Sequence, residues 1–141
     1  MGDDASNGIL NDRLGRWTFT SILPEGVNNI TATAVDLAAN TSNVSQTLVV
    51  TIDTRITKPA ITGISPDNGP SSTDRKTNNG RITISGTADP GDMVTLSEGA
   101  SVLGSPVIAN SSGVWTFDNT ANLLSDGIHV FTATSSDLAG N

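Results

Sequence analysis

The sequence Trp17-Thr18-Phe19, followed by Asp36-Leu37-Ala38-Ala39-Asn40, decides the architecture because the chain repeats it. The second copy runs from Trp115-Thr116-Phe117 to Asp137-Leu138-Ala139-Gly140-Asn141. The tryptophans are 98 positions apart, the final asparagines are 101 apart, and the three extra residues fall in one loop. A period near 100 residues with insertions confined to a loop is typical of tandem small domains.

The composition favours strands over helices and excludes several function classes. Among 141 residues, Thr, Ser and Asn are abundant, whereas Lys plus Arg number 7, and this balance predicts an all-β chain. The formal net charge of −7 does not suit nucleic acid or an anionic membrane, since both bind a basic face. With no cysteine, disulfides and cysteine–zinc sites are impossible. No apolar run approaches ~20 residues, so no membrane insertion is expected.

Short alternating runs between turn signals predict strands in both copies. In the first copy these are residues 16–20, 27–35 and 44–52, with Trp17 and Phe19 on one face. In the second copy six strands are predicted, at 60–64, 81–87, 92–96, 102–109, 114–117 and 127–135. A spacing of ~8–12 residues per strand is the pattern of an immunoglobulin-like sandwich.

The repeat also predicts where the domains divide. Residues 1–54 are predicted to be the C-terminal part of one Ig-like repeat, with a strand remnant at Gly8-Ile9-Leu10. Residues 55–58 form a linker, and residues 59–141 form a second repeat. The fold class is thus all-β, with Ig-like β-sandwich repeats in tandem. The first copy is incomplete at its N-terminal side, and the second lacks the closing strand that residues 44–52 provide in the first.

The predicted gap leads to a prediction about self-association. A nine-residue strand is ~30 Å long, whereas the linker from Asp53 to Lys58 reaches only ~20 Å. The chain's own residues 42–52 therefore cannot take the place of the closing strand, and an open sheet edge is expected next to Phe131. Strand donation by residues 42–52 of a second copy would fill it. The alternative is that a following repeat of a longer gene supplies the strand.

Several motifs follow one another in a characteristic order, among them Ile84-Ser85-Gly86-Thr87, Gly113-Val114-Trp115 and Asp126-Gly127-Ile128-His129. In this order and spacing the chain resembles the bacterial Ig-like repeats of giant surface adhesins and biofilm-associated proteins. The resemblance implies an extracellular rod at the bacterial cell surface, with neighbouring Ig-like repeats as partners and a ligand-binding tip. It also implies type I secretion and Ca²⁺ at the joints. The chain departs from the family pattern at Ala39 and in the linker, Arg55-Ile56-Thr57-Lys58.

Five aspartates are candidate ligands for a structural Ca²⁺, which takes about six to eight oxygens. Asp36 and Asp137 belong to loops at one pole of each sandwich, and Asp53 enters the linker. Asp67 and Asp74 lie in the long loop of the second copy. In a rod, Asp36, Asp53, Asp67 and Asp74 would converge where one domain meets the next. The alternative is that these aspartates are simply turn residues.

Catalysis has little support in the sequence. There is no cysteine nucleophile, no Gly-x-Ser-x-Gly elbow and no phosphate-binding glycine loop. The single histidine, His129, has Asn28 as its counterpart, so we expect it to pack or hydrogen-bond near a strand start. The chain is therefore predicted not to be an enzyme.

Together with the strand and repeat pattern, the resemblance implies a structural extracellular spacer of a large bacterial adhesin, holding a binding tip away from the cell. The alternative is a carbohydrate- or host-protein-binding Ig-like module. Trp17 and Trp115 could be stacking platforms for sugars, but their place in strand patterns favours packing in a core. The aromatic residues thus favour the spacer.

Overall fold

The computed structural model describes residues 15–141 and divides the chain into two compact units, Met1–Asp53 (unit 1) and Thr54–Asn141 (unit 2). The described residues form eight strands and no helix, which confirms the all-β prediction. The strand remnant predicted at Gly8-Ile9-Leu10 lies outside the described residues. The tandem arrangement of repeats and the linker at 55–58 stay predictions.

Unit 1 contains an antiparallel pair of strands, β1 (Gly26–Ile30) and β2 (Leu48–Ile52). Gly26 lies opposite Ile52, and Ile30 lies opposite Leu48. Beyond this ladder the Ser45 and Ser42 hydroxyls accept hydrogen bonds from the amides of Ala32 and Ala34 at 3.0 and 2.9 Å. Beyond the ladder, side-chain hydroxyls thus take the place of backbone carbonyls as acceptors. Both strands are therefore shorter than the predicted strands 27–35 and 44–52.

The strand predicted over residues 16–20 is wrong, and so is the core position predicted for Trp17. These residues form no strand, and Trp17 and Phe19 are 58% and 52% exposed. Within the described part of unit 1 only β1 and β2 pair as strands. A two-stranded sheet has no second layer to cover an aromatic face.

Unit 2 contains all six predicted strands, with ends shifted by a few residues. They form two three-stranded antiparallel sheets, ordered β3-β4-β7 and β6-β5-β8. Their bounds are β3 (Ala60–Ser65), β4 (Thr83–Thr87), β5 (Met93–Glu98), β6 (Ser101–Ile108), β7 (Val114–Asp118) and β8 (Phe131–Ser136). The largest difference is at β8, which begins at Phe131 instead of residue 127. No described strand pairs with residues 127–130, so they do not continue the ladder.

The core of unit 2 lies between its two sheets. Every second residue of the central strands is buried, as a two-layer sandwich requires. The buried apolar residues are Ile82, Ile84, Val94, Leu96, Ala109, Trp115 and Phe117. Trp115 is 1% exposed, so the core position predicted for it is confirmed.

Gly86 provides the space that Trp115 occupies. The two residues lie opposite each other in the β4–β7 ladder. A Cβ atom added to Gly86 would overlap both the Trp115 ring and the carbonyl oxygen of Ala60 on β3. Glycine at this position therefore lets the indole lie directly against the backbone of its own sheet.

We expect Trp115→Ala to destabilise unit 2 by about 3–5 kcal/mol, because a large buried aromatic side chain would leave a cavity. Trp17→Ala is the matched control and should change stability by no more than about 0.5 kcal/mol, because Trp17 is exposed. Denaturant unfolding followed by circular dichroism measures both. Equal effects of the two substitutions would contradict this account of the core.

Candidate functional site

The two copies of Asp-Leu-Ala-x-Asn fold into the same carboxylate-centred loop. Oδ1 of Asp36 accepts hydrogen bonds from the amides of Ala38 and Asn40 at 2.8 and 2.9 Å, and its Oδ2 accepts one from Asn40 Nδ2 at 2.8 Å. In the second copy, Oδ1 of Asp137 accepts from the Asn141 amide at 2.9 Å, and Oδ2 accepts from Asn141 Nδ2 at 2.8 Å. In each loop the aspartate holds the asparagine through both backbone and side chain.

These hydrogen bonds favour the charged carboxylate. The side-chain amide of Asn40, followed by its backbone N–H, lowers the pKa of Asp36 below its ordinary value of 3.8. Asn141 lowers the pKa of Asp137 in the same order. Because the folded-state pKa is depressed, the stabilisation is present above the ordinary value and is lost as pH falls through the lowered pKa. Both loops therefore carry ionised carboxylates at neutral pH.

The fourth position of the loop requires a left-handed backbone. Ala39 has φ +67°, and Gly140 at the equivalent position has φ +91°. An L-residue other than glycine places its Cβ too close to the carbonyl in this region, at a cost of roughly 1–2 kcal/mol. The departure from the family pattern at Ala39 therefore strains the loop without changing its form.

We expect Ala39→Gly to stabilise the loop of unit 1 and Gly140→Ala to destabilise the loop of unit 2. After allowing for the greater flexibility of unfolded glycine, the change should be about 1 kcal/mol in each case, close to fivefold in an opening equilibrium. Amide hydrogen exchange of Asn40 and Asn141, whose N–H groups bind the carboxylates, measures it. Exchange rates that do not move in opposite directions would refute the shared geometry.

Asp67 and Asp74 lie in the loop between β3 and β4. Asp67 Oδ2 accepts a hydrogen bond from the Arg75 amide at 3.0 Å, and Asp74 Oδ1 accepts one from the Lys76 amide at 3.1 Å. Because these two amides are adjacent, one short segment holds both carboxylates. The other oxygen of Asp67, Oδ1, is buried and has no hydrogen-bond partner.

The five predicted ligands are thus distributed over both units. Asp36 and Asp53 belong to unit 1, whereas Asp67, Asp74 and Asp137 belong to unit 2. Among residues 15–141 no three acidic or histidine side chains form a group able to hold a metal ion. A joint site would combine residues of both units, and it stays a prediction.

A cavity of about 640 Å³ lies beside β8 in unit 2. Its apolar wall comes from β3, β4 and β8 and includes Ile61, Ile64, Ile84 and Phe131. Its remaining wall is formed by the loop residues 75–80 and 124–130. The sequence does not specify this cavity residue by residue.

His129 bridges the loop before β8 to the end of β5. Its Nδ1 lies 2.5 Å from Glu98 Oε1, and its Nε2 lies 2.9 Å from the carbonyl oxygen of Ser125. The imidazole also stacks on Phe131, with ring centroids 6.3 Å apart. The prediction that this histidine hydrogen-bonds near a strand start is confirmed.

The two acceptors favour the protonated imidazole, because only the imidazolium can donate from both nitrogens. The hydrogen bond to Ser125, followed by that to Glu98, raises the pKa of His129 above its ordinary value of 6.5. A raised folded-state pKa gives stability that is fully present below the ordinary value and is lost as pH rises through the folded-state pKa. The bridge should therefore weaken on the alkaline side of pH 6.5.

We expect the melting temperature of unit 2 to fall as pH rises through the pKa of His129, because the neutral ring loses one of its two donors. His129→Asn introduces the residue found at the equivalent position 28 and should remove this part of the pH dependence. Thermal unfolding between about pH 5 and pH 8 measures both chains. Identical slopes for the two would show that the bridge does not stabilise the fold.

Residues 55–141 match the sequence model of the bacterial Ig-like domain family. The chain belongs to the bacterial Ig-like domain family. Domains of this family are typically non-catalytic and lie outside the cell or at its surface. Comparison with curated proteins gives no match. Within residues 15–141 no helix is long and apolar enough to cross a membrane.

The family assignment agrees with the architecture of unit 2. Six antiparallel strands form two facing sheets, and a tryptophan of one sheet is buried in the core between them. The resemblance predicted from the sequence is thus confirmed at the level of the Ig-like domain. Assignment to an adhesin or a biofilm protein is a finer statement and belongs to the proposal below.

Proposed function

We propose that the chain is an extracellular spacer of a large bacterial adhesin, which holds a binding tip away from the cell surface. The observation that carries the proposal is the match of residues 55–141 to a bacterial Ig-like domain with its own closed apolar core. A domain with its own core keeps its shape when it is linked to others. Its partners would be neighbouring Ig-like repeats of the same protein, because each repeat of such an array contacts mainly its neighbours.

The acidic surface supports an exposed position in water. The formal net charge of −7 keeps a protein soluble and discourages association with anionic surfaces. The repeated Asp-Leu-Ala-x-Asn loops support a structural role as well, since their polar groups are directed to the backbone of the loop itself.

A domain exchange in the producing bacterium tests the spacer function. Residues 55–141 would be replaced by an unrelated sandwich domain of equal length, and adhesion of the cells would be compared with that of a deletion variant. A spacer predicts that the exchange restores adhesion and that the deletion reduces it. Antibodies to residues 55–141 should label intact cells. Loss of adhesion with both variants, or labelling only after lysis, would contradict the proposal.

We further propose that Ca²⁺ binds at the joint between successive domains. Its ligands would come from Asp36, Asp53, Asp67, Asp74 and the equivalent loop residue Asp137. The buried Oδ1 of Asp67 supports this proposal, because a hard cation would give that unpartnered oxygen a ligand contact. The ionised carboxylates of Asp36 and Asp137 also retain lone pairs beyond those used by the loop hydrogen bonds.

If the joint binds Ca²⁺, chelation should lower the melting temperature of the chain. Mass action gives a stabilisation of about 2.7 kcal/mol at a free concentration one hundred times the Kd. Asp53→Ala and Asp67→Ala should each remove most of the shift. Asp89→Ala, in an exposed turn, is the control and should leave it unchanged. Identical melting temperatures with Ca²⁺ and with chelator would contradict a Ca²⁺ site at the joint.

The exposure of Trp17 and Phe19 favours a second candidate function, a carbohydrate-binding module. Exposed aromatic rings have the flat apolar faces that pair with sugar rings. A titration of the chain with soluble saccharides, followed by tryptophan fluorescence, distinguishes a carbohydrate-binding module from a spacer. Binding predicts a change that Trp17→Ala abolishes. A spacer predicts no change in either chain.

A further inference from the structure

Two outer strands of unit 2, β3 and β6, are irregular. Among the described strands, β3 pairs with β4 alone and β6 pairs with β5 alone. A regular outer strand presents a row of N–H and C=O groups with which a strand of another chain can pair. In both β3 and β6 a shift of register interrupts this row.

The irregularity of β3 is a bulge of one residue, Thr62, which has no partner on β4. Its hydroxyl donates a hydrogen bond to the carbonyl oxygen of Ser85 at 3.2 Å. Its own carbonyl oxygen accepts one from Arg75 Nη2 at 3.4 Å. A bulge bends the strand and disrupts the ladder. At Thr62 the backbone also has an arginine as a partner already, so the row of free groups on β3 is broken at its middle.

The irregularity of β6 is larger. Three of its residues, Gly104-Ser105-Pro106, lie opposite the single residue Thr95 of β5. Gly104 has φ +53°, in the left-handed region, and Pro106 has no amide N–H to donate. Within sheets, proline is confined mainly to outer strands and bulges. A strand added to β6 would therefore meet a bend and a missing donor.

The core fixes the bulge of β6 in place. Phe117 on β7 is buried, and a Cβ atom added to Gly104 would lie 3.0 Å from its Cζ atom. Since β6 and β7 belong to different sheets, this contact holds the bulge against the side of the sandwich. On either side of the bulge, Leu103 and Val107 pack against the same core. The bulge is thus part of the packed domain.

The composition of β6 would make a regular outer strand prone to association. Val102 and Ile108, on the two sides of the bulge, are 63% and 69% exposed. Without the bulge, both side chains would belong to one continuous outer strand. An exposed, regular and apolar outer strand is a site of edge-to-edge pairing between chains.

We propose that the bulges at Thr62 and at residues 104–106 are built-in barriers, which keep a strand of a second copy of this chain from adding to β3 and β6. Both bulges are held by contacts within unit 2, so the barriers act whatever precedes or follows the domain. The proposal does not rest on the spacer function. The two also fail separately, since association in solution is measured independently of cell adhesion.

Two variants of the full chain test the barriers, because each makes one strand regular. Deletion of Thr62 restores one-to-one pairing of β3 with β4. Deletion of Ser105 and Pro106, combined with Gly104→Thr, leaves one residue opposite Thr95. Both changes preserve the alternation of core-facing residues on either side. In sedimentation velocity over a range of concentrations, each variant should associate at least about tenfold more strongly than the wild-type chain.

Two controls separate edge pairing from a general loss of structure. Deletion of Ser72 removes an exposed loop residue that belongs to no ladder, and it should change the association constant by less than about threefold. Val102→Lys, added to the variant with a regular β6, places a charge on the outer strand and should reverse its gain in association. Circular dichroism identifies the variants that keep a cooperative fold.

Either folded variant decides the matter for its own strand. A folded variant that associates no more strongly than the wild-type chain would overturn the proposal for that strand. A gain that Val102→Lys leaves unchanged would overturn it for β6, because the association would then not involve the edge. An equal gain on deletion of Ser72 would overturn it for both strands.

Discussion

The contact between the Trp115 indole and the backbone at Gly86 is the constraint on which unit 2 depends. The ring lies against its own sheet because position 86 has no side chain, and a Cβ there would also overlap the Ala60 carbonyl on β3. The absence of a side chain at position 86 therefore determines how closely β3, β4 and β7 lie to one another. The facing sheet contributes Val94 and Leu96, both buried, to the same core cluster. The two sheets thus share one apolar core that contains this large side chain, and such a shared core is what holds a two-layer domain together.

Much of unit 2 could be predicted from the sequence, because the alternation of apolar residues along its strands indicates which side chains are buried. Alternation at Ile82, Ile84, Val94 and Leu96 has the period of a half-buried strand, and the structure buries all four. The beginning of β8 could not be predicted, because residues 127–130 alternate like a strand, whereas none of the strands described in residues 15–141 pairs with them. The periodicity of a sequence indicates which side chains prefer to be buried. It does not indicate which strand pairs with a given segment.

The same limit explains the error at Trp17. Its sequence context matches that of Trp115, yet one indole is buried and the other exposed. Burial requires a second layer, and the described strands of unit 1 form a single pair. The loops, in contrast, were read correctly as loops, because Asp36 and Asp137 satisfy backbone donors within five residues. Whether these carboxylates also bind a cation depends on residues of both units, which no local pattern specifies.

The core of unit 2 closes around Trp115, and among the described strands β8 pairs with β5 alone. Hydrogen exchange of the dilute chain tests this arrangement most directly. Amides of β4, β5 and β7 should exchange slowest, because their ladders are paired around the core. The alternate amides of β8 that point away from β5 should exchange much faster in the monomer. Equal protection of all β8 amides in the monomer, or no protected group in β4 and β7, would contradict the account.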